Sequence, residues 1–257
     1  MNIPVVALGI KNVTDTALEG LTGKVQYFPL GQISKPISAL KAAGVRQAVM
    51  VGKVQHVSLF GGVMPDLRAI KVMASLKDKR TDTILRAVAD EFAKDGIELL
   101  SSATFLSHLL VPEGPLTQRR PTAVELADFR LGWSAAKAVA GFDIGQTVVV
   151  KDGTVIAVEA MEGTDAAILR ARDLARSQGQ KTALTVIKVA KPRQDLRFDI
   201  PVLGLDSLKI FAEAGVSAVA VEAGTTLIFD KDEFLRRADG QTLAIVGLPA
   251  GGPEGAT

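Results

Sequence analysis

The chain has 257 residues, 47% of them apolar and 23% charged, with a net charge of +2 at pH 7. That composition suits a well-cored globular protein of one large or two ordinary domains, and it excludes a disordered chain and a strong polyanion footprint. With no cysteine, two histidines and 5% aromatic residues, disulfides, thiolate or histidine-rich metal sites and a cysteine nucleophile are excluded, and a base-stacking nucleic-acid surface is not expected.

Residues 3–9 read as a buried strand, with no basic region or cleavage signal ahead of them, and Val25 to Phe28 as a second. Ile33 to Ala43 reads as a helix with Pro36 in its first turn and Gly44 ending it. Val45 to Val51 is a third strand. Strand, helix and strand in this order imply parallel pairing with right-handed crossovers, a Rossmann-like half domain. Past the turn-rich Phe60 to Asp66, the pattern predicts helices at Leu67 to Leu76 and Thr83 to Lys94 and a strand at Ile97 to Leu100. Ser101 to Val111 is apolar enough for a core helix, the preferred reading, or for a groove holding an apolar ligand.

Pro112, Pro115 and Pro121 mark a linker between an N-terminal domain at 1–113 and a C-terminal domain at 121–247. Thr122 to Ala140 reads as a helix with Val124, Ala127, Leu131, Ala135 and Ala138 on one face and Trp133 in the core. Asp152-Gly153 predicts a tight hairpin between Gln146 to Lys151 and Thr154 to Ala160. Thr164 should cap a helix to Ser177, buried through Ala167, Ile168, Ala171, Leu174 and Ala175. A strand at Thr182 to Ile187, a helix at Asp206 to Ala214, strands at Val216 to Val221 and Thr226 to Phe229, a helix at Asp232 to Ala238 and a strand at Thr242 to Val246 follow. Residues 248–257 read as a flexible tail. The fold class expected is α/β in two domains, a Rossmann-like half domain followed by a mixed α/β domain. An internal echo, Ala157-Val-Glu159-Ala160 and Ala220-Val-Glu222-Ala223, puts two glutamates at comparable strand ends.

The stretch from Lys188 to Pro201 carries the densest chemistry: Lys188, Lys191, Arg193, Arg197, Asp195 and Asp199, with Pro192 and Pro201 stiffening the backbone. It reads as a loop at the end of a strand, where α/β sheets collect ligands. Carboxylates there could hold a divalent cation and the basic groups phosphate oxygens, or the charges could simply pair in solvent. At Glu162-Gly163-Thr164-Asp165 a helix start offers a phosphate nest, or merely a cap. There is no Gly-x-Gly-x-x-Gly, P-loop or paired-histidine helix, and His56 and His108 read as incidental.

Val158 to Asp165, Lys188 to Pro201, Val219 to Gly224 and Asp143 to Val150 resemble the metal-dependent UDP-2,3-diacylglucosamine diphosphatases of lipid A biosynthesis, the form unrelated to the calcineurin-like enzymes. The likeness extends to Ile33 to Lys53, Leu59 to Leu76 and Leu116 to Arg120, though the family's usual additional strand and Gly-rich turn before the stretch matching Met1 to Ile10 are not found. It implies two domains holding a lipid-linked nucleotide sugar, and Mg2+-dependent (or Mn2+-dependent) cleavage to UMP and 2,3-diacylglucosamine 1-phosphate. It further implies a cytoplasmic protein, peripheral to the inner membrane, with room for a homodimer. Carried onto this chain, Asp199, Asp195 and Glu162 are the expected catalytic carboxylates, and Asp199, Asp195 and Asp165 the metal ligands. Lys188, Lys191, Gln194, Arg197, Gly163 and Thr164 are expected to bind the diphosphate, and Val57 to Met64 with Ser101 to Val111 the acyl chains. The competing expectation is a non-catalytic nucleotide-sugar or phospholipid-binding protein.

Overall fold

The computed structural model describes residues 4–52, 65–78, 81–177, 179, 183–191, 195, 197–198 and 200–253. Its contacts form two compact units, Met1–Ser102 with Asp195–Phe198, and Ala103–Gln194 with Asp199–Thr257.

In the first unit β1 (Ala7–Ile10) pairs in parallel with β2 (Val25–Phe28), and the short α1 (Leu18–Thr22) connects them. Next come α2 (Ser34–Ala42), β3 (Gln47–Val49), α3 (Leu67–Ser75), α4 (Thr81–Lys94) and β4 (Glu98–Leu100), which runs parallel to β3. Both strand pairs are parallel, as the strand and helix order predicts. Ile33, Ile37, Leu40, Ala69, Val72 and Ile97 form the core. Asp66 organises it: its Oδ2 accepts the backbone N–H groups of Ile33 (2.9 Å) and Ser34 (2.7 Å) while Oδ1 accepts that of Ala69 (2.8 Å). One carboxylate therefore satisfies orphan donors at the starts of both α2 and α3.

The second unit contains β5 (Gly114–Pro115), α5 (Ala123–Gly141), β6 (Thr147–Lys151), β7 (Thr154–Val158), α6 (Thr164–Ser177) and β8 (Leu184–Lys188). It continues with β9 (Val202–Leu203), α7 (Leu205–Ala214), β10 (Val216–Glu222), β11 (Leu227–Ile228), α8 (Lys231–Gly240) and β12 (Ala244–Leu248). The main sheet has the order β5-β12-β10-β8-β6-β7, and β9 pairs separately with β11. Strands β8, β10 and β12 are parallel; β6 opposes β8, and β7 opposes β6. Successive side chains alternate between two cores, as a strand's period of two requires. Val149, Val186, Val219, Val221 and Ile245 pack with Ile168, Leu208, Phe211 and Phe234 from α6, α7 and α8. Val148, Val150, Ile187, Ala220 and Val246 face Phe129, Trp133 and Ala136 of α5. The result is three layers, with α5 on one side of the sheet and α6, α7 and α8 on the other.

Several sequence expectations change here. The helix expected over Ser101 to Val111 is absent: residues 102–105 form a turn, Ser107–Leu109 makes a single 3-10 turn, and Phe105 is 57% exposed. Val111 instead donates its N–H to Thr226 O and Leu110 bridges Leu227, so the end of the segment is pulled into an extended ladder. Where a linker is expected, Gly114–Pro115 adds an edge strand to β12, and the Thr117 hydroxyl accepts the Ile245 N–H at 2.9 Å. Along α5 the buried face is Glu125, Asp128, Phe129, Gly132, Trp133, Ala136 and Ala140 rather than the Val124 and Leu131 stripe, which is 53% and 40% exposed at those two residues. Leu174, expected in the core of α6, is likewise 43% exposed. The expected tail begins inside β12 at Leu248, and Gly252 lies so close to Trp133 that a Cβ there would come within 2.7 Å of the ring. The Asp152-Gly153 hairpin forms as expected, both residues at positive φ (47° and 76°).

Candidate active site

The sheet of the second unit sends the carboxyl ends of β7, β8, β10 and β12 to one edge, and the antiparallel β6 starts there. Glu159 follows β7, Lys188 ends β8, Glu222 ends β10 and Thr147 opens β6. All four are buried, at 8%, 7%, 4% and 0% exposure. Buried charge is tolerated only with partners, so the partners reveal what the edge is built to hold.

Lys188 Nζ donates to Thr164 Oγ1 at 2.8 Å, and Thr164 Oγ1 donates to Glu159 Oε1 at 2.9 Å. Since the single hydroxyl hydrogen is committed to Glu159, Thr147 Oγ1, 3.3 Å away, must be the donor toward Thr164. Glu159 Oε2 accepts the Gln146 N–H at 3.2 Å. Gly145 makes this convergence sterically accessible: a Cβ at that position would sit 2.0 Å from the Glu159 carbonyl oxygen. Beside this group, Lys137 Nζ of α5 lies 2.5 Å from Glu222 Oε2, which also accepts the Ala190 N–H at 2.8 Å.

The sequence-predicted residues divide between these surroundings and the first unit. Lys188 and Thr164 come together directly. Thr164 is the first residue of α6 and its hydroxyl reaches across to β7 and β8, a different use from the cap expected. Gly163 precedes it at φ 86°, where a side chain would be strained. Glu162 accepts from the Arg170 guanidinium at 2.6 Å and from the Ala160 N–H at 3.0 Å. Its own backbone N–H first, and Arg170 second, hold its carboxyl below the ordinary value. Asp165 is exposed in the first turn of α6, and Lys191 pairs with Asp143 at 2.6 Å. Asp195 and Arg197 belong to the first unit. There Asp195 takes Arg197 Nε at 2.8 Å and Nη2 at 2.7 Å, with Arg86 Nε 3.9 Å away. The Arg197 hydrogen bonds hold the Asp195 carboxyl below its usual range despite partial burial. Asp199, Gln194, His56 and Val57 to Met64 lie outside the described residues.

Sequence reasoning passed over Thr147 and Lys137 and noticed Glu159 and Glu222 only through their echo. That echo was the available signal, because both copies place a glutamate where a buried strand meets the edge. Among the described residues, no three His, Asp or Glu side chains are arranged to hold a metal ion together. A magnesium ion needs less than that, being bound through one or two carboxylates with water and substrate phosphate completing the shell.

A family model described as the LpxI N-terminal domain matches residues 1–109, and one described as the LpxI C-terminal domain matches residues 112–246. UDP-2,3-diacylglucosamine pyrophosphatase LpxI of Caulobacter vibrioides is 34% identical over 225 residues, covering 85% of this chain and 80% of its own. A shorter similarity, 32% over 136 residues, joins 51% of this chain to 23% of the bifunctional purine biosynthesis protein PurH of Cereibacter sphaeroides. Among solved structures, a diaminohydroxyphosphoribosylaminopyrimidine deaminase/reductase of Thermotoga maritima is 20% identical, covers 48% of this chain and 36% of its own, and has a TM-score of 0.29, too low to bear on the fold. Both halves are matched in order and the Caulobacter relative aligns along most of both chains, so this chain belongs to the LpxI family.

Proposed function

We propose that this protein hydrolyses the diphosphate of UDP-2,3-diacylglucosamine, giving UMP and 2,3-diacylglucosamine 1-phosphate in lipid A biosynthesis. The observation that carries this reading is the identity to the Caulobacter pyrophosphatase over 85% of the chain. The edge of the second unit supports it chemically. Lys188, held by Thr164, brings an ammonium to the end of β8, where diphosphate oxygens can replace part of its protein hydrogen bonding. Gly163 lets backbone at the start of α6 approach phosphate closely. Lys191, which pairs with Asp143, adds a second cation on the same chain segment. Water supplies the oxygen of the new P–O bond while the bridging P–O bond breaks, and Asp199 is the carboxylate we assign to take the proton and to hold Mg2+ or Mn2+. When bound, the cation offsets charge developing on the phosphoryl oxygens. Because the substrate carries two acyl chains, we place the protein in the cytoplasm at the inner membrane surface.

Purified protein incubated with UDP-2,3-diacylglucosamine and Mg2+ should release UMP and the lipid phosphate, both detected by mass. Chelation should stop release, and Asp199→Ala should bind substrate without turning it over. Binding that is indifferent to chelation, with no UMP formed, would instead support a non-catalytic binder.

A further inference from the structure

We infer that Lys137 and Glu222 form a clamp on the backbone of Ala190 and act as positioning residues for the lysines on either side of it, Lys188 and Lys191. The consequence for turnover rests on the diphosphatase reading; the consequence for the backbone does not. Ala190 lies in irregular chain just beyond β8, yet charged groups grip both of its backbone polar atoms. Its N–H donates to Glu222 Oε2 at 2.8 Å, and its carbonyl accepts from Lys137 Nζ at 3.3 Å. The same two side chains meet at 2.5 Å, so the three partners close a triangle.

Each arm of the clamp is itself fixed. Glu222 is the last residue of β10, and the two residues after it are tied down, Ala223 N–H to Leu248 O at 2.8 Å and Gly224 N–H to Val111 O at 2.9 Å. Lys137 leaves α5 on the opposite layer and lies 5.4 Å from the centroid of the Trp133 ring. The Glu222 side chain is 5% exposed and that of Lys137 26%. An ion pair this buried gives up much of its attraction to desolvation, and apolar residues of similar volume would serve packing equally well. What apolar residues cannot do is satisfy an N–H and a C=O of a neighbouring loop at once. That second task is the one the geometry shows. It matters because Ala190 follows Lys188 by two residues and precedes Lys191 by one, and small misplacement of binding groups can cost up to about 100-fold in rate.

The test compares Lys137→Met, Glu222→Leu, Glu222→Gln and the double Lys137→Met/Glu222→Leu, reading thermal midpoint, UMP release, and amide hydrogen exchange of peptides spanning residues 186–191. The single Lys137→Met and Glu222→Leu changes each leave one member of the ion pair without its partner, and the double should recover part of the thermal midpoint they lose, the unpaired Ala190 N–H and C=O keeping it below wild type. Exchange at Ala190 should nonetheless stay about tenfold or more faster in the double, and kcat about tenfold or more lower, with KM changing less. Glu222→Gln, which keeps an acceptor for the Ala190 N–H, should retain more kcat than Glu222→Leu. If exchange and kcat both return to wild-type values in the double, the pair only fills space and the clamp is overturned. Exchange unchanged in every variant overturns it equally. Should wild-type protein release no UMP, the diphosphatase reading fails, and the exchange data still decide the clamp.

Discussion

Thr164 joins two buried charges of opposite sign through a single hydroxyl, donating to Glu159 and accepting from Lys188. Replacing it with valine keeps the shape and removes the link, leaving both charged groups short of a partner. Thr164→Val should lower stability by about 1–3 kcal/mol and reduce UMP release at least tenfold, whereas Thr164→Ser should retain both. Urea unfolding and product assays on the two variants measure this, and an active, stable valine variant would remove Thr164 from the site. Asp66 plays a comparable part in the first unit, with three backbone donors on one carboxylate. Asp66→Ala should lower stability by about 2 kcal/mol, at the upper end of the effect of losing one helix cap, as read by the denaturant midpoint.

At the scale of elements, α5 shows why an apolar stripe read in isolation misleads. Alanines and leucines are spread around much of this helix, so helical period alone left its rotation open. The sheet decided it: a Cβ on Gly132 would stand 2.3 Å from Ile187 Cδ1, so the helix approaches β8 along its glycine line, with Phe129 and Ala136 beside it. Two polar residues, Asp128 and Glu125, share that buried side because they have fixed partners. Asp128 accepts the Gly153 N–H at 2.7 Å and the Thr185 hydroxyl at 3.0 Å, and Glu125 closes a capping box with Thr122. The rotation makes a paired prediction. Phe129→Ala should cost about 3–5 kcal/mol, while Leu131→Glu should change stability by no more than about 0.5 kcal/mol. Equal losses in thermal melts of the two variants would contradict the assignment of the buried face.

For the molecule as a whole, the carboxylates with the clearest shifts in the folded state all move the same way. Burial pushes Asp66 and Glu125 upward, but hydrogen bonds outweigh it, from Ala69, Ser34 and Ile33 in the first case and from Arg119, Ser217 and Thr122 in the second. Asp195 is lowered chiefly by Arg197, and Glu91 chiefly by Lys94. Groups with depressed folded-state values stabilise the protein fully above their unfolded values, about 3.9 for Asp and 4.3 for Glu. That contribution is lost as pH falls through the folded values. Denaturant midpoints measured across pH should therefore hold between about 7 and 5 and fall below about 4. Asp66→Ala should show a shallower acid decline than wild type.

The sequence by itself determined the features whose causes are local. Asp152-Gly153 adopts the positive φ that its hairpin demands, Gly44 ends α2 at φ 71°, and Val25 to Phe28 is the strand that its β-branched and aromatic residues indicate. Family membership was legible too, because long motifs such as Lys188 to Pro201 carry it without reference to any fold. Tertiary structure alone decided which side of α5 is buried, because only the packed sheet distinguishes one mildly apolar stripe from another. It drew Val111 and Gly114–Pro115 into the ladders of Thr226 and β12, contacts more than a hundred residues away in sequence that no local pattern could announce. It also separated the charges of one loop: Asp195 and Arg197 pair within the first unit, while Lys188 joins Thr164 and Glu159 in the second. A run of charges in sequence states which groups are available. Which of them meet depends on where strands end and which backbone donors they leave to be satisfied, and that is settled only when the sheet is assembled.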